Sequence, residues 1–167
     1  NRNMALKPSY NDKLHLPGLS KTEILILALE ASQKLEWNIE EVTPEGARFE
    51  VPFNMYSHGE EITFTIEPGS DGEVAVRSQS SSVQFVDYGK NRKNIQKLRE
   101  TMEEIKTSLT PEELTQKAKD FEEEGNRPLT EEEKAYLEEE KKRNSFWSFF
   151  IPRKGFIATP ILIDLNI

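Results

Sequence analysis

The chain has 167 residues, no cysteine, two histidines and a formal net charge of -8. The acidic balance argues against nucleic-acid binding, because neutralising phosphates requires clustered Lys and Arg side chains. The lack of cysteine excludes disulfides, thiolate catalysis and cysteine-type zinc sites, and two histidines nearly exclude a histidine metal site. We therefore expect no metal and no cofactor, in a chain whose length is typical of one domain with appendages.

The chain begins with an extended segment over residues 1–19, which can add a strand to the domain with Leu14 and Leu16 as its inward-facing pair. The first helix has a clear start. Ser20 is a good N-cap, and Glu23 three positions later completes a capping box. The helix is expected to run to about Leu35, and its apolar residues favour one face, which indicates a helix lying across a sheet.

Four strands are expected next, each with apolar residues at alternate positions. Their inward-facing residues are Trp37 and Ile39 in the first, Ala47, Phe49, Val51 and Phe53 in the second, Ile62, Phe64 and Ile66 in the third, and Val74 and Val76 in the fourth. A helix with one apolar stripe follows from about Lys90 to Ser108. The pattern predicts an α+β fold, a two-layer α-β-β-β-β-α domain with an antiparallel sheet over residues 20–109.

Residues 110–143 have a different composition. Thr110 and Thr130 are each followed three positions later by a glutamate, which predicts two further capped helices. Between positions 101 and 143 there are 14 acidic and 8 basic residues. Because apolar residues are sparse there, we interpret this segment as a charged, solvated helical linker.

Residues 144–167 are aromatic and basic at first and then apolar. The membrane-interface candidates are Trp147, Phe149, Phe150, Arg153 and Lys154. Aromatic rings favour the headgroup level, and basic residues beside a span stay on the cytosolic side. The apolar run is about half of the roughly 20 residues that a spanning helix needs. We predict a membrane-proximal segment and the start of a transmembrane helix; the alternative is an ordinary strand over residues 159–167.

The stretch between residues 77 and 94 carries the candidate ligand-binding residues. Ser78 and Ser80 replace aliphatic residues on the expected inner face of the fourth strand, and Asp87, Asn91 and Arg92 follow at the start of the second helix. Hydroxyl groups at core positions predict either a small polar ligand site or a sheet edge that reaches solvent. In the second case Asp87 caps the helix, whose positive end favours an acid.

No arrangement of catalytic residues is evident in the sequence. Ser57 precedes His58, but adjacent side chains on a turn rarely align as nucleophile and base, and no GxSxG motif occurs. The glycines form neither a P-loop nor a GxGxxG motif. A hydrolase that uses His58 is therefore the weakest of the hypotheses, and we assign no catalytic residue.

Two motifs, DYGKNRKN at residues 87–94 and FIPRKGFIATPILI at residues 150–163, resemble the cytoplasmic N-terminal region of rhomboid family intramembrane serine proteases of Bacteroidetes-type bacteria. The resemblance spans nearly the whole chain. It implies a non-catalytic accessory domain, regulatory or interacting, on the cytosolic face of the bacterial inner membrane, in an integral membrane hydrolase. The GxSG motif and histidine of that family are not found here, so no catalytic residue is transferred.

The middle of the chain also loosely resembles DUF1499 domains, which carry a similar S-x-S and D-x-G-x-N pattern. The partners expected from the rhomboid resemblance are the membrane, through the region beyond Ile167, and a protein partner or a second copy of the chain. The alternative function is a stand-alone soluble α+β module that binds a ligand or a protein, in which residues 159–167 form a strand.

Overall fold

The computed structural model describes residues 7–53, 59–82 and 88–143. The described residues up to 117 form one compact unit, and those from 118 onward form a second. The elements are β1 (Ser9–His15), α1 (Lys21–Lys34), β2 (Asn38–Thr43), β3 (Gly46–Val51), β4 (Glu60–Ile66), β5 (Glu73–Ser80), α2 (Lys90–Ser108), α3 (Pro111–Asn126) and α4 (Glu131–Arg143). The α+β class and the antiparallel sheet predicted from the sequence are confirmed.

In these described ranges the sheet has five strands in the order β1-β5-β4-β3-β2, and every neighbouring pair is antiparallel. The fifth strand comes from the N-terminal segment, because β1 pairs with β5 from Ser9 opposite Gln79 to His15 opposite Glu73. Leu14 and Leu16 are buried, as predicted. The N-terminal segment therefore adds a fifth strand to the four expected from the alternating patterns, with its predicted inward pair in place.

The core lies between one face of the sheet, called here the inner face, and the helices α1 and α2. Helix α1 contacts β2 and β3, and helix α2 contacts β1 and β5. Phe49 and Phe64 are at most 1% exposed at the centre of this layer. Burial of each such side chain stabilises the fold by about 1.5–3 kcal/mol. The alternation of apolar and polar residues along β3, β4 and β5 follows directly from this one-sided cover.

Helix α1 begins with the predicted capping box. The backbone N–H of Glu23 donates to Ser20 Oγ at 3.1 Å, and the backbone N–H of Ser20 donates to Glu23 Oε2 at 2.8 Å. All six residues from 24 to 29 are buried, so α1 is covered on more than one of its faces. The start of α3 contacts the start of α1, since the hydroxyl of Thr115 donates to Glu23 Oε1 at 3.0 Å. The first turns of α3 thus contact the domain.

Strand β3 ends earlier than its sequence pattern predicts. Phe53 was expected to face inward, as the last apolar residue in the alternation, but the strand stops at Val51 and Phe53 is 75% exposed. Pro52 accounts for the difference, because proline has no N–H to donate to the ladder of a sheet. The inward expectation for Phe53 was therefore wrong.

The second unit contains a turn between α3 and α4 that is fixed by one arginine. Arg127 donates through Nε to Glu124 Oε1 at 2.5 Å and through Nη1 to Glu133 Oε2 at 2.8 Å. The Arg127 guanidinium, followed by the Thr130 backbone N–H, lowers the pKa of Glu133 to about 2. Thr130 and Glu133 also form the predicted capping box of α4. No helix in the described parts of the chain is long and apolar enough to cross a membrane.

Gly72 is expected to be far less tolerant of substitution than Gly69, although both have a positive φ, +75° and +72° respectively. A Cβ at Gly72 would overlap the Leu16 carbonyl, which lies where β1 leaves the sheet, whereas a Cβ at Gly69 meets open space. Gly69→Ala should cost about 1–2 kcal/mol, the usual penalty for a left-handed residue.

For Gly72→Ala we expect a loss at least about 2 kcal/mol larger, in the range of severe steric substitutions. Urea unfolding of the two variants beside the wild type measures this difference. Equal losses would mean that the contact with Leu16 does not constrain the turn.

Candidate functional site

A group of polar side chains is buried at one end of the inner face. Along β5 the inward positions change from Val74 and Val76 to Ser78 and Ser80, which are 0% and 3% exposed. The neighbouring strand β4 places Ile62 opposite Ser78 and Glu60 opposite Ser80. The sheet therefore continues as a regular ladder while its covered face changes from aliphatic to polar.

Asn91, in the first turn of α2, joins these serines. Its Oδ1 accepts a hydrogen bond from Ser78 Oγ at 2.7 Å, and its Nδ2 donates to Ser80 Oγ and to the Pro8 carbonyl oxygen, each at 3.2 Å. We call Ser78, Ser80 and Asn91 the serine-asparagine cluster. One buried amide thus connects β5, α2 and the segment before β1, and buried polar groups of this kind are stable only when they are paired.

The backbone before α2 explains why Asn91 reaches the sheet. Tyr88 and Gly89 both have positive φ angles, 50° and 74°. Two successive left-handed residues turn the chain abruptly, and Gly89 occupies the N-cap position of α2. Glycine adopts this conformation without steric cost. The helix therefore begins directly above the end of β5, with Asn91 facing inward.

The structure brings together three of the five predicted ligand-binding residues. Ser78, Ser80 and Asn91 are in direct hydrogen-bond contact. Arg92 is exposed beside them on α2 and does not join the buried cluster. Asp87 lies outside the described residues, as do the catalytic candidate His58 and the membrane-interface residues Trp147, Phe149, Phe150, Arg153 and Lys154.

Two further buried polar residues near this end of the sheet, Asn94 and Glu60, were not among the predicted ligand-binding residues. Asn94 is 7% exposed, and its Nδ2 is buried without a hydrogen-bond partner in the described part of the chain. Glu60 is 2% exposed on the inner face. A signal existed for both, because Asn94 follows Asn91 by three positions on the apolar stripe of α2 and Glu60 alternates with Ile62 along β4.

The chemistry of the serine-asparagine cluster is that of a structural clamp. Each serine hydroxyl contacts an amide, which is not a general base. Within the described residues there is also no group of three or more His, Cys, Asp or Glu side chains placed to hold a metal ion.

The outer face of the sheet is polar and charged. His15 Nδ1 lies 2.6 Å from Glu73 Oε1, and Arg48 Nη2 lies 3.6 Å from Glu41 Oε2. Glu40 lies in a bulge of β2, where the register shifts between Ile39 and Glu41. Burial, followed by the nearby carboxylate of Glu50, raises the pKa of Glu40 above its ordinary value. The acidic residue in this bulge is therefore partly desolvated and next to a like charge.

A small two-layer α+β domain, with both core helices on one face of a five-stranded antiparallel sheet, is the class that the fold defines. The chain belongs to the family described as protein of unknown function (DUF1499), whose model matches residues 7–102, more than half of the chain. The match begins just before β1 and ends within α2, so it contains the whole serine-asparagine cluster. A comparison with curated proteins gave no match.

Asn91→Ala should destabilise the protein by about 3 kcal/mol, because the Ser78 and Ser80 hydroxyls and the Pro8 carbonyl lose a buried partner. Its sequence neighbour provides the control, since Arg92 is exposed and Arg92→Ala should change stability by no more than about 0.5 kcal/mol. Urea unfolding followed by circular dichroism measures both free energies. A loss for Asn91→Ala as small as that for Arg92→Ala would show that the clamp does not stabilise the fold.

Glu40→Gln should stabilise the protein at pH 7. A carboxyl whose pKa is raised on folding makes its full contribution to stability only below its unfolded pKa, here about 4.5, and loses it as the pH rises through the folded value. The advantage of the glutamine variant should therefore shrink as the pH falls from 7 to about 4. The control is Glu45→Gln in the exposed β2-β3 turn. A gain that is equal at both pH values would contradict the electrostatic cause.

Proposed function

We propose that the chain is a non-catalytic, regulatory or interacting accessory domain of a rhomboid-type intramembrane serine endopeptidase. It would lie on the cytosolic face of the bacterial inner membrane, with the peptidase in the region beyond Ile167. The observation that carries the membrane part is the order of residues in the C-terminal sequence: an aromatic and basic collar up to Lys154, followed by an apolar run from Phe156. That order is typical of the cytosolic entry to a span.

The geometry of the domain supports the non-catalytic part of this proposal. An activated serine needs a base within hydrogen-bond reach. Ser78 instead donates its hydrogen to Asn91 Oδ1, and Ser80 accepts from the amide of the same residue. His15 lies on the outer face of the sheet and pairs with Glu73. Ser78 and Ser80 are thus engaged in other contacts on the inner face of the sheet, and His15 is engaged on the outer face.

The test starts from the gene. The open reading frame beyond Ile167 should encode several apolar segments, with a GxSG motif and a later histidine. The full-length product should remain in the membrane pellet after an alkaline carbonate wash. In intact spheroplasts the domain should resist external protease, and it should be cleaved once the membrane is disrupted. Cleavage in intact spheroplasts would contradict the cytosolic placement, and a stop codon at Ile167 would contradict the accessory role.

The alternative is a stand-alone binding module, and one observation favours it. Asn94 Nδ2 is a buried donor without a protein partner among the described residues. An unmet buried donor costs about 1–3 kcal/mol, which a carbonyl or carboxylate oxygen of a small ligand would recover. The same gene test separates the two functions, because a reading frame that ends at Ile167 supports the module and removes the accessory domain.

A further inference from the structure

The two edges of the sheet differ in regularity. Exposed edge strands carry unpaired backbone groups that readily pair with another chain, and natural proteins block them with bulges or charged side chains. Strand β2 has a bulge between Ile39 and Glu41, which interrupts its ladder. Strand β1 instead pairs with β5 without a register shift over all seven of its residues. It is therefore the edge that needs another form of protection.

The hydrogen bonds next to β1 show which of its backbone groups face outward. The Ser80 N–H donates to the Pro8 carbonyl at 2.9 Å, and the Leu16 N–H donates to the Gly72 carbonyl at 2.8 Å. Antiparallel partners bond at every second residue, so the even-numbered residues of β1 bond to β5. The odd-numbered residues direct their N–H and C=O groups away from the sheet; they are Ser9, Asn11, Lys13 and His15.

At the middle of the strand, the outward-facing backbone N–H and C=O groups of Lys13 both have hydrogen-bond partners. The Lys13 N–H donates to Asp12 Oδ1 at 2.8 Å, and the Lys13 carbonyl accepts from Arg99 Nη2 at 3.3 Å. The same Arg99 nitrogen lies 2.5 Å from Asp12 Oδ2. The Lys13 N–H and then the Arg99 guanidinium lower the pKa of Asp12, which keeps its carboxylate ionised. The side chains of Asp12 and Arg99 thus cover the centre of the open edge.

We propose that the Asp12 and Arg99 pair guards the edge of β1, which no strand in the described part of the chain covers, against antiparallel pairing with β1 of a second copy of this chain. This inference goes beyond the proposed function and does not depend on it. The register that pairs the whole strand with itself sets Ser9 opposite His15 and Asn11 opposite Lys13 of the other copy. It sets Asp12 opposite Asp12 on the twofold axis, where two carboxylates repel each other.

The surroundings of β1 fit a second copy once the pair is removed. A cavity of about 200 Å³ lies between β1 and α2. Its apolar lining residues, Leu14, Leu16 and Met102, are at most 5% exposed, and four ionisable residues, Arg99 among them, complete the lining. In the self-pairing register Tyr10 of the second copy stands opposite Leu14. An aromatic ring placed there would cover the mouth of this cavity.

The first test compares the self-association of matched charge-neutral variants of the full chain. Asp12→Ala/Arg99→Ala should lower the dimer dissociation constant by at least about tenfold relative to the wild type. Sedimentation velocity over a range of concentrations measures this change. The control is Lys34→Ala/Glu104→Ala, which removes a 2.7 Å ion pair between α1 and α2 and should leave the association unchanged.

The second test identifies the interface through cross-linking, since the chain contains no cysteine. In Asp12→Cys/Arg99→Ala the two thiols meet on the axis at a non-hydrogen-bonded pair, with Cα atoms about 4.5 Å apart, within the range of a disulfide. Mild oxidation should give a covalent dimer. The control is Ser9→Cys/Asp12→Ala/Arg99→Ala, whose thiols lie about 20 Å apart in this register and should not cross-link.

Each outcome of these tests decides the proposal. A double variant that sediments like the wild type and does not cross-link at position 12 overturns it, as does equal cross-linking at positions 9 and 12. A wild type that already associates as tightly as the double variant overturns it too. Circular dichroism checks that the variants are folded. If the double alanine variant unfolds, Asp12→Ala/Arg99→Met retains aliphatic cover over the cavity and replaces it in the comparison.

Discussion

The rest of the domain depends on the contacts of one buried amide, that of Asn91. An asparagine side chain can offer an acceptor and two donor hydrogens in a fixed plane. In this chain the acceptor meets Ser78, and the donors meet Ser80 and the Pro8 carbonyl. The start of α2 is therefore fixed on β5, and the segment that leads into β1 is fixed beside both. An apolar residue at this position could pack but could not set the register of three segments at once.

Helix α2 contacts the sheet at two positions along its length. Its first turn reaches the inner face through Asn91, and two turns later Arg99 reaches around the edge of β1 to the Lys13 carbonyl. Between Asn91 and Arg99, the side chains of Ile95 and Leu98 are buried in the core. The anchoring of the first turn therefore also positions Arg99. The packing of the core and the protection of the edge thus depend on a single helix.

Much of this fold can be predicted from the sequence, because its elements are coded locally. The capping box of Ser20 and Glu23 and the alternation along β4 each involve residues that are near neighbours in the chain. The partners of Asn91 and Arg99 are different, since Pro8 precedes Asn91 by 83 residues and Lys13 precedes Arg99 by 86. Sequence patterns place Ser78 and Asn91 on inward faces, but only the tertiary fold determines that they meet.

The polar groups that already have hydrogen-bond partners inside the domain also limit where it can bind other molecules. Groups whose hydrogen bonds are already made inside the core gain nothing from a ligand, since binding would exchange one partner for another. The hydroxyls of Ser78 and Ser80 belong to this class. The outer face differs, because Glu61, Thr63 and Arg77 are exposed on two adjacent central strands. A regulatory or interacting role therefore fits this outer surface better than it fits the buried cluster.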